Sequence, residues 1–174
     1  MGRKVYVKDV PIRWARLFES NRDMGPKDGS DVGDKLELIQ GQYSVDLMLT
    51  PEIKKQMIAD GIPNKGLQSQ LFKTNNDGEE FYKAKRGHFN PKFVDQETGE
   101  SGVVVGPPEL LKLVDPEGPH KRENMEPWDI EEDGFIGNDS IATVKFDVWD
   151  GKITTLEAVV ITEHVPYEGQ QGDF

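Results

Sequence analysis

The sequence predicts a mainly β domain with one short helix and long loops. Three observations carry that expectation. Several stretches alternate apolar and polar residues at strand period, most clearly "SIATVKFDVW". The 174 residues include 18 glycines and 11 prolines, which implies many turns, and a hydrophobic share of 35% is lean for a helical bundle. One segment alone carries both helix start and helix stop signals.

The elements follow in chain order. "IRWARLF" sets Ile12, Trp14, Arg16 and Phe18 on one face and Arg13, Ala15 and Leu17 on the other, so Trp14 is expected in the core. "SNRDMGPKDGSDVGDK" has no aliphatic run and is rich in Gly and Asp, and it reads as a long mobile loop. "YSVDLML" opposes Tyr43, Val45, Leu47 and Leu49 to Ser44, Asp46 and Met48, the pattern of a strand with one buried face. A helix follows, with Thr50 as N-cap, Pro51 at the first helical position, Glu52 at the positive end of the dipole and Gly61 as terminator. Its apolar stripe is Ile53, Met57 and Ile58.

Candidate strands "QLFK" and "EFYKAKR" flank a turn signal at Asn76-Asp77-Gly78. Near the end, Ala142, Val144, Phe146 and Val148 alternate against Thr143, Lys145, Asp147 and Trp149. Asp150-Gly151 turns the chain, and "KITTLEAVVITEHV" returns as a second long strand. Five or six strands with one helix fit an OB-fold-like five-stranded Greek-key barrel, although the pattern alone does not separate a barrel from a sandwich. Residues 1–167 read as one domain and 168–174 as a short flexible tail.

With no cysteine, disulfides, thiolate zinc sites and a cysteine nucleophile are excluded. No apolar run approaches the roughly 18 residues of a membrane span, so a cytosolic protein without membrane contact is expected. The formal net charge is -11, yet residues 1–90 carry 15 Lys and Arg against 13 Asp and Glu, while residues 91–174 carry 6 against 19. Binding responds to the local field, so the basic half can serve an anionic ligand.

"FYKAKRGHF" concentrates that possibility, with Lys83, Lys85, Arg86 and His88 among Phe81, Tyr82 and Phe89. Single-stranded nucleic acid requires cations for its phosphates and exposed rings for its bases. In a strand, Phe81, Lys83 and Lys85 share one face and Tyr82, Ala84 and Arg86 the other. Each face mixes ring and charge, which is unusual toward a core; alternatively the rings pack and the lysines solvate a sheet edge. Arg13 and Arg16 flank Trp14 and could cradle a base, against the core position that the alternation gives the indole.

Signals for catalysis are poor. His88, His120 and His164 are isolated, and no Walker loop, GxGxxG or G-x-S-x-G stretch occurs. Asp129, Glu131, Asp133 and Gly134 begin like a calcium loop, but Ser140 at the twelfth position cannot supply its bidentate carboxylate. Neither metal nor cofactor is expected.

Four stretches, "VPIRWARLFESN", "QYSVDLMLTPEI", "GFIGNDSIATVKFDVW" and "LEAVVITEHVPYEG", taken in order, resemble the single-stranded-DNA-binding proteins of tailed bacteriophages. These are OB-fold replication proteins of the coliphage T-seven type. Two departures stand out: Asp139 occupies a turn position where that family has glycine, and "YEGQQGDF" lacks its long acidic tail while keeping a terminal ring, Phe174. The resemblance implies sequence-tolerant binding of single-stranded DNA during phage replication and recombination, in the cytoplasm of an infected bacterium and without catalysis. With the resemblance added to the residue patterns, the expected binding set is Arg13, Arg16, Lys73, Phe81, Tyr82, Lys83, Lys85, Arg86, His88, Phe89 and Trp149. Phe174 would contact replication proteins, and a homodimer is open. An acidic DNA mimic, or a structural or assembly β-protein of a phage, remains the alternative.

Overall fold

A computed structural model describes residues 2–25, 30–63, 72–149 and 153–167. The turn at Asp150-Gly151 and the tail with Phe174 lie outside the described residues.

Among the described residues there are ten strands and three α-helices. The strands are β1 (Gly2–Arg16), β2 (Gln42–Met48), β3 (Phe72–Thr74), β4 (Glu80–Gly87), β5 (Phe89–Val94), β6 (Ser101–Val104), β7 (Glu109–Leu113), β8 (Met125–Pro127), β9 (Ser140–Trp149) and β10 (Ile153–Glu163). The helices are α1 (Asp31–Leu38), α2 (Pro51–Ala59) and the single turn α3 (Ile130–Asp133). Eight strands form one sheet in the order β3-β4-β2-β1-β9-β10-β7-β8, and β5 pairs with β6 separately. Every pairing is antiparallel except β10 with β7.

The sheet curls so that β4 faces β10 across the core. Tyr82 Oη lies 2.6 Å from Thr154 Oγ1, and Arg86 Nη1 donates to the Leu156 carbonyl at 3.4 Å. No backbone ladder joins these strands among the described residues, so the five-stranded barrel expected from the sequence is not closed. β3 takes the β4 edge only at Glu80–Tyr82 and β7 takes the β10 edge only at Ala158–Ile161, and across the remaining seam side chains rather than a ladder make the contact. The expectation of one helix is likewise corrected to three.

The final hairpin forms as its alternation predicts. Ala142, Val144, Phe146 and Val148 are buried and oppose Val7, Val5 and the inward residues of β10. α2 begins as expected, the Thr50 hydroxyl accepting the Ile53 N–H at 3.2 Å, with Gly61 at φ 106° just beyond its end. Met57 is buried there, but Ile58 turns to solvent. The expected loop over residues 20–35 instead leads into α1, because Ser30 Oγ accepts the Gly33 N–H and Asp31 and Asp34 sit in the first turn, where the helix dipole favours them.

Two strands depart from simple alternation. In β2, Tyr43, Val45 and Leu47 enter the core as expected, yet Ser44 and Asp46 are buried too, since β1 and β4 flank them on the outer face. β1 carries two interruptions. Asp9 and Trp14 hold φ values of 53° and 54°, and the ladder shifts between Val7 and Val10 and again between Arg13 and Arg16. Val5, Val7, Val10 and Ile12 therefore all face inward. The second interruption throws Trp14 outward, 66% exposed, and Leu17 takes the core position instead.

Candidate nucleic-acid interface

Directly paired residues on neighbouring strands point to the same side of a sheet, so register determines which side chains meet. Since Tyr82 and Ala84 face the core, Phe81, Lys83 and Lys85 face out. The pairings set Arg13, Asp46 and Lys83 in one row, Arg16, Ser44 and Lys85 in a second, and Lys73, Phe81 and Met48 in a third. A strip of cations with one ring at its edge results.

Within the strip, Lys83 Nζ lies 3.1 Å from Asp46 Oδ1, and the Asp46 side chain is 10% exposed. That buried oxygen has no aligned hydrogen bond. Lys85 is held below the ordinary lysine range, first by desolvation and then by the charges of Lys73 and Lys83, with Asp46 opposing. An arriving phosphate would relieve this repulsion.

A cleft of about 630 Å³ adjoins the strip, and Arg16 belongs to both. Trp14, Phe135 and Tyr167 expose their rings there, and Arg22 lines the wall. The Trp14 backbone N–H donates to Asn138 Oδ1 at 2.9 Å. Asn138 is carried by a turn that is itself pinned, because the Gly137 N–H donates to the Val165 carbonyl at 2.7 Å and Ser140 Oγ accepts the Val165 N–H at 2.8 Å. A Cβ on Gly137 would collide with the Val165 and Pro166 carbonyls, so only glycine fits. Arg22 is fixed by donation to the Gln40 and Glu19 carbonyls, whereas Arg16 makes no ion pair or side-chain hydrogen bond among the described residues. Phe135 meets Tyr167 edge-on at 6.2 Å and Phe18 at 5.5 Å. Cations beside exposed rings can neutralise phosphates and stack planar bases.

A crystal structure of gp2.5, a single-stranded DNA binding protein encoded by bacteriophage T7, matches this chain with a TM-score of 0.54. The fold resembles that of gp2.5. The match covers 97% of this chain and 96% of that one at 15% sequence identity. The likeness read from four short stretches is thus met by a likeness of fold to gp2.5 over nearly the whole chain. No family model matches the sequence, and neither does any curated protein.

The residues singled out from sequence divide sharply. Arg16, Lys73, Phe81, Lys83 and Lys85 come together on the outer face, with Arg13 at its margin. Arg13 is engaged, donating through Nε to Asp139 at 2.8 Å and through Nη1 to Glu79 at 2.9 Å. Tyr82 is a core residue, packed on Phe72 and Phe146. His88 is buried, with Nδ1 2.7 Å from Tyr43 Oη. Arg86 faces the β10 side, its guanidinium donating to the carbonyls of Gly106 at 2.9 Å and Val105 at 3.2 Å. Phe89 lies over Gly102, whose Cβ would strike the ring. Trp149 is half exposed but pairs with Gly2 at the opposite end of β1, and its Nε1 donates to Asp147. Phe174 lies outside the described residues.

Sequence reasoning missed Arg22, Phe135 and Tyr167, which line the candidate cleft. The available signal was a ring beside glycine or proline in "DGFIG" and "VPYEG", where a strand cannot bury it.

Proposed function

We propose that this protein binds single-stranded DNA with little sequence preference, the phosphates tracking the Lys73, Lys83, Lys85 and Arg16 strip while bases stack in the Trp14 cleft. The observation that carries this reading is Trp14: a large indole turned out of its strand, two-thirds exposed, between Arg16 and two further exposed rings. The fold likeness to gp2.5, itself a single-stranded DNA binding protein, supports it. Strands β4-β2-β1-β9-β10 run in the order of an OB core left open where β4 meets β10. In OB folds the second and third strands and the loop after the first carry oligonucleotides. Here those elements are β2, β4 and the segment bearing Arg22. On this reading the chain is a binding protein, not an enzyme, acting on phage DNA in replication and recombination inside an infected bacterium.

Fluorescence anisotropy of labelled oligo-dT against a duplex of equal length, at two salt concentrations, tests the proposal. Preferential single-strand binding that weakens with salt is expected, with a slope of about 0.7 per phosphate neutralised. The double variant Lys83→Ala, Lys85→Ala should weaken binding and flatten that slope. Absence of binding at low salt would sink the proposal.

A further inference from the structure

A second cleft, of about 480 Å³, opens on the outer face of β1, β9, β10 and β7, away from the Trp14 cleft. Its floor is apolar, made by Leu111, Val160 and Met125, which form a small cluster separate from the main core. An outer sheet face is normally polar, so an apolar floor here is unusual, with Leu111 and Val160 buried and Met125 partly so. Tyr6 stands at the rim, half exposed, with Lys145 Nζ 5.7 Å from its ring centroid.

The rim is positive in an acidic protein. Arg122 is neutralised by a bidentate pair with Glu109, at 3.1 and 3.0 Å, whereas Lys8 and His120 have no ion pair or side-chain hydrogen bond among the described residues. The acid nearest Lys145, Glu157, is 3.7 Å away and is held more closely by Lys4 at 2.7 Å. An apolar floor beneath a ring, with Lys8 unpaired among the described residues and Lys145 only loosely paired to Glu157, complements a nucleotide: base below, phosphate at Lys8 and Lys145. β1 joins this cleft to the first one, and from Lys8 to Arg13 it covers about 16 Å on its outer face.

We infer that the cleft between Tyr6, Lys8 and the Leu111–Val160 floor is a second nucleotide subsite, reached by the same DNA strand after it leaves the Trp14 cleft. The inference rests on the single-strand reading given above. It makes the strand wrap around β1, so a long strand contacts cations that a short one cannot reach.

Anisotropy with dT5 and dT30 tests this on wild type, Lys8→Glu and Trp14→Ala. Lys8→Glu should weaken dT30 about tenfold and lower its salt slope by about 0.7 or more, while leaving dT5 unchanged. Trp14→Ala should weaken both. Oligonucleotides carrying 5-iododeoxyuridine near one end should also photocrosslink to Tyr6 when thirty nucleotides long and not when five long. If wild type binds dT30 but Lys8→Glu leaves its affinity and slope unmoved and Tyr6 is not crosslinked, the second subsite is wrong while single-strand binding stands. If wild type binds neither oligonucleotide, the broader reading fails. A labelled acidic peptide whose binding Lys8→Glu abolishes, with dT30 unaffected, would reassign the cleft to a protein partner.

Discussion

Arg13 Nε lies 2.8 Å from Asp139 Oδ1, and Asp139 holds a backbone φ of 72°. A left-handed aspartate costs on the order of 1 kcal/mol relative to glycine, and the ion pair, with Asp139 60% exposed, offsets at most about that much. Asp139→Gly should therefore leave stability within about 1 kcal/mol of wild type. It should also release one bond on Arg13 and remove a negative charge beside the cation strip. Oligo-dT affinity is expected to rise several-fold, as read by anisotropy at low salt; an unchanged affinity would mean Arg13 lies off the DNA path.

Trp14→Ala should weaken oligo-dT binding by about 1–3 kcal/mol, the range for one stacked base. Because the indole is largely exposed, thermal stability should hardly move. A large fall in melting temperature with unchanged binding would show that the ring has a structural task instead.

Tyr82→Phe should behave in the opposite way. Burial pushes the Tyr82 phenol above its ordinary range, and its Oη sits 2.6 Å from Thr154 Oγ1 across the β4–β10 seam. Loss of that bond is expected to cost about 1 kcal/mol in urea unfolding, with no change in DNA affinity.

Acid should weaken one particular tie. Lys112 Nζ lies 2.8 Å from both carboxylate oxygens of Asp133, and this hydrogen bond, followed by the Asp129 backbone N–H, holds the Asp133 carboxyl below the usual carboxylate range. A depressed carboxyl stabilises the fold above its unfolded pKa and loses that contribution as pH falls through the folded one. The melting-temperature gap between wild type and Asp133→Asn should be widest near neutrality and close below about pH 4. A gap that persists in acid would mean the pair adds nothing through charge.

What was legible from sequence is what local chemistry determines. α2 was readable because Thr50, Pro51 and Gly61 act within a few bonds of the backbone groups they satisfy, and the β9–β10 hairpin because β9 alternates without interruption and β10 is rich in β-branched residues, although the β10 ladder shifts twice. The β3–β4 turn was readable for the same reason, with Asn75 Oδ1 accepting the N–H groups of Asp77 and Glu79. Trp14 was misassigned because a positive φ at tryptophan leaves no trace in composition, and one such residue reverses the inside-outside pattern that follows. The burial of Tyr82 and His88 was not readable because alternation separates two faces without saying which one is covered. Their packing against Phe72, Phe146 and Tyr43 is decided by residues distant in sequence. The open seam and the added strands β3 and β7 were not readable, because these short strands carry little periodicity of their own.

The two interruptions in β1 also determine where the gene can change length. A residue gained or lost within an unbroken ladder inverts every side chain beyond it, so no change of length is tolerated between Val5 and Val7 or between Val10 and Ile12. At Asp9 and Trp14 the ladder already absorbs an extra residue, and deletion there would restore plain pairing instead of turning the core outward. Related chains that differ by one residue in this strand should carry the difference at those two positions, and losing the second would remove the exposed indole together with the bulge that presents it.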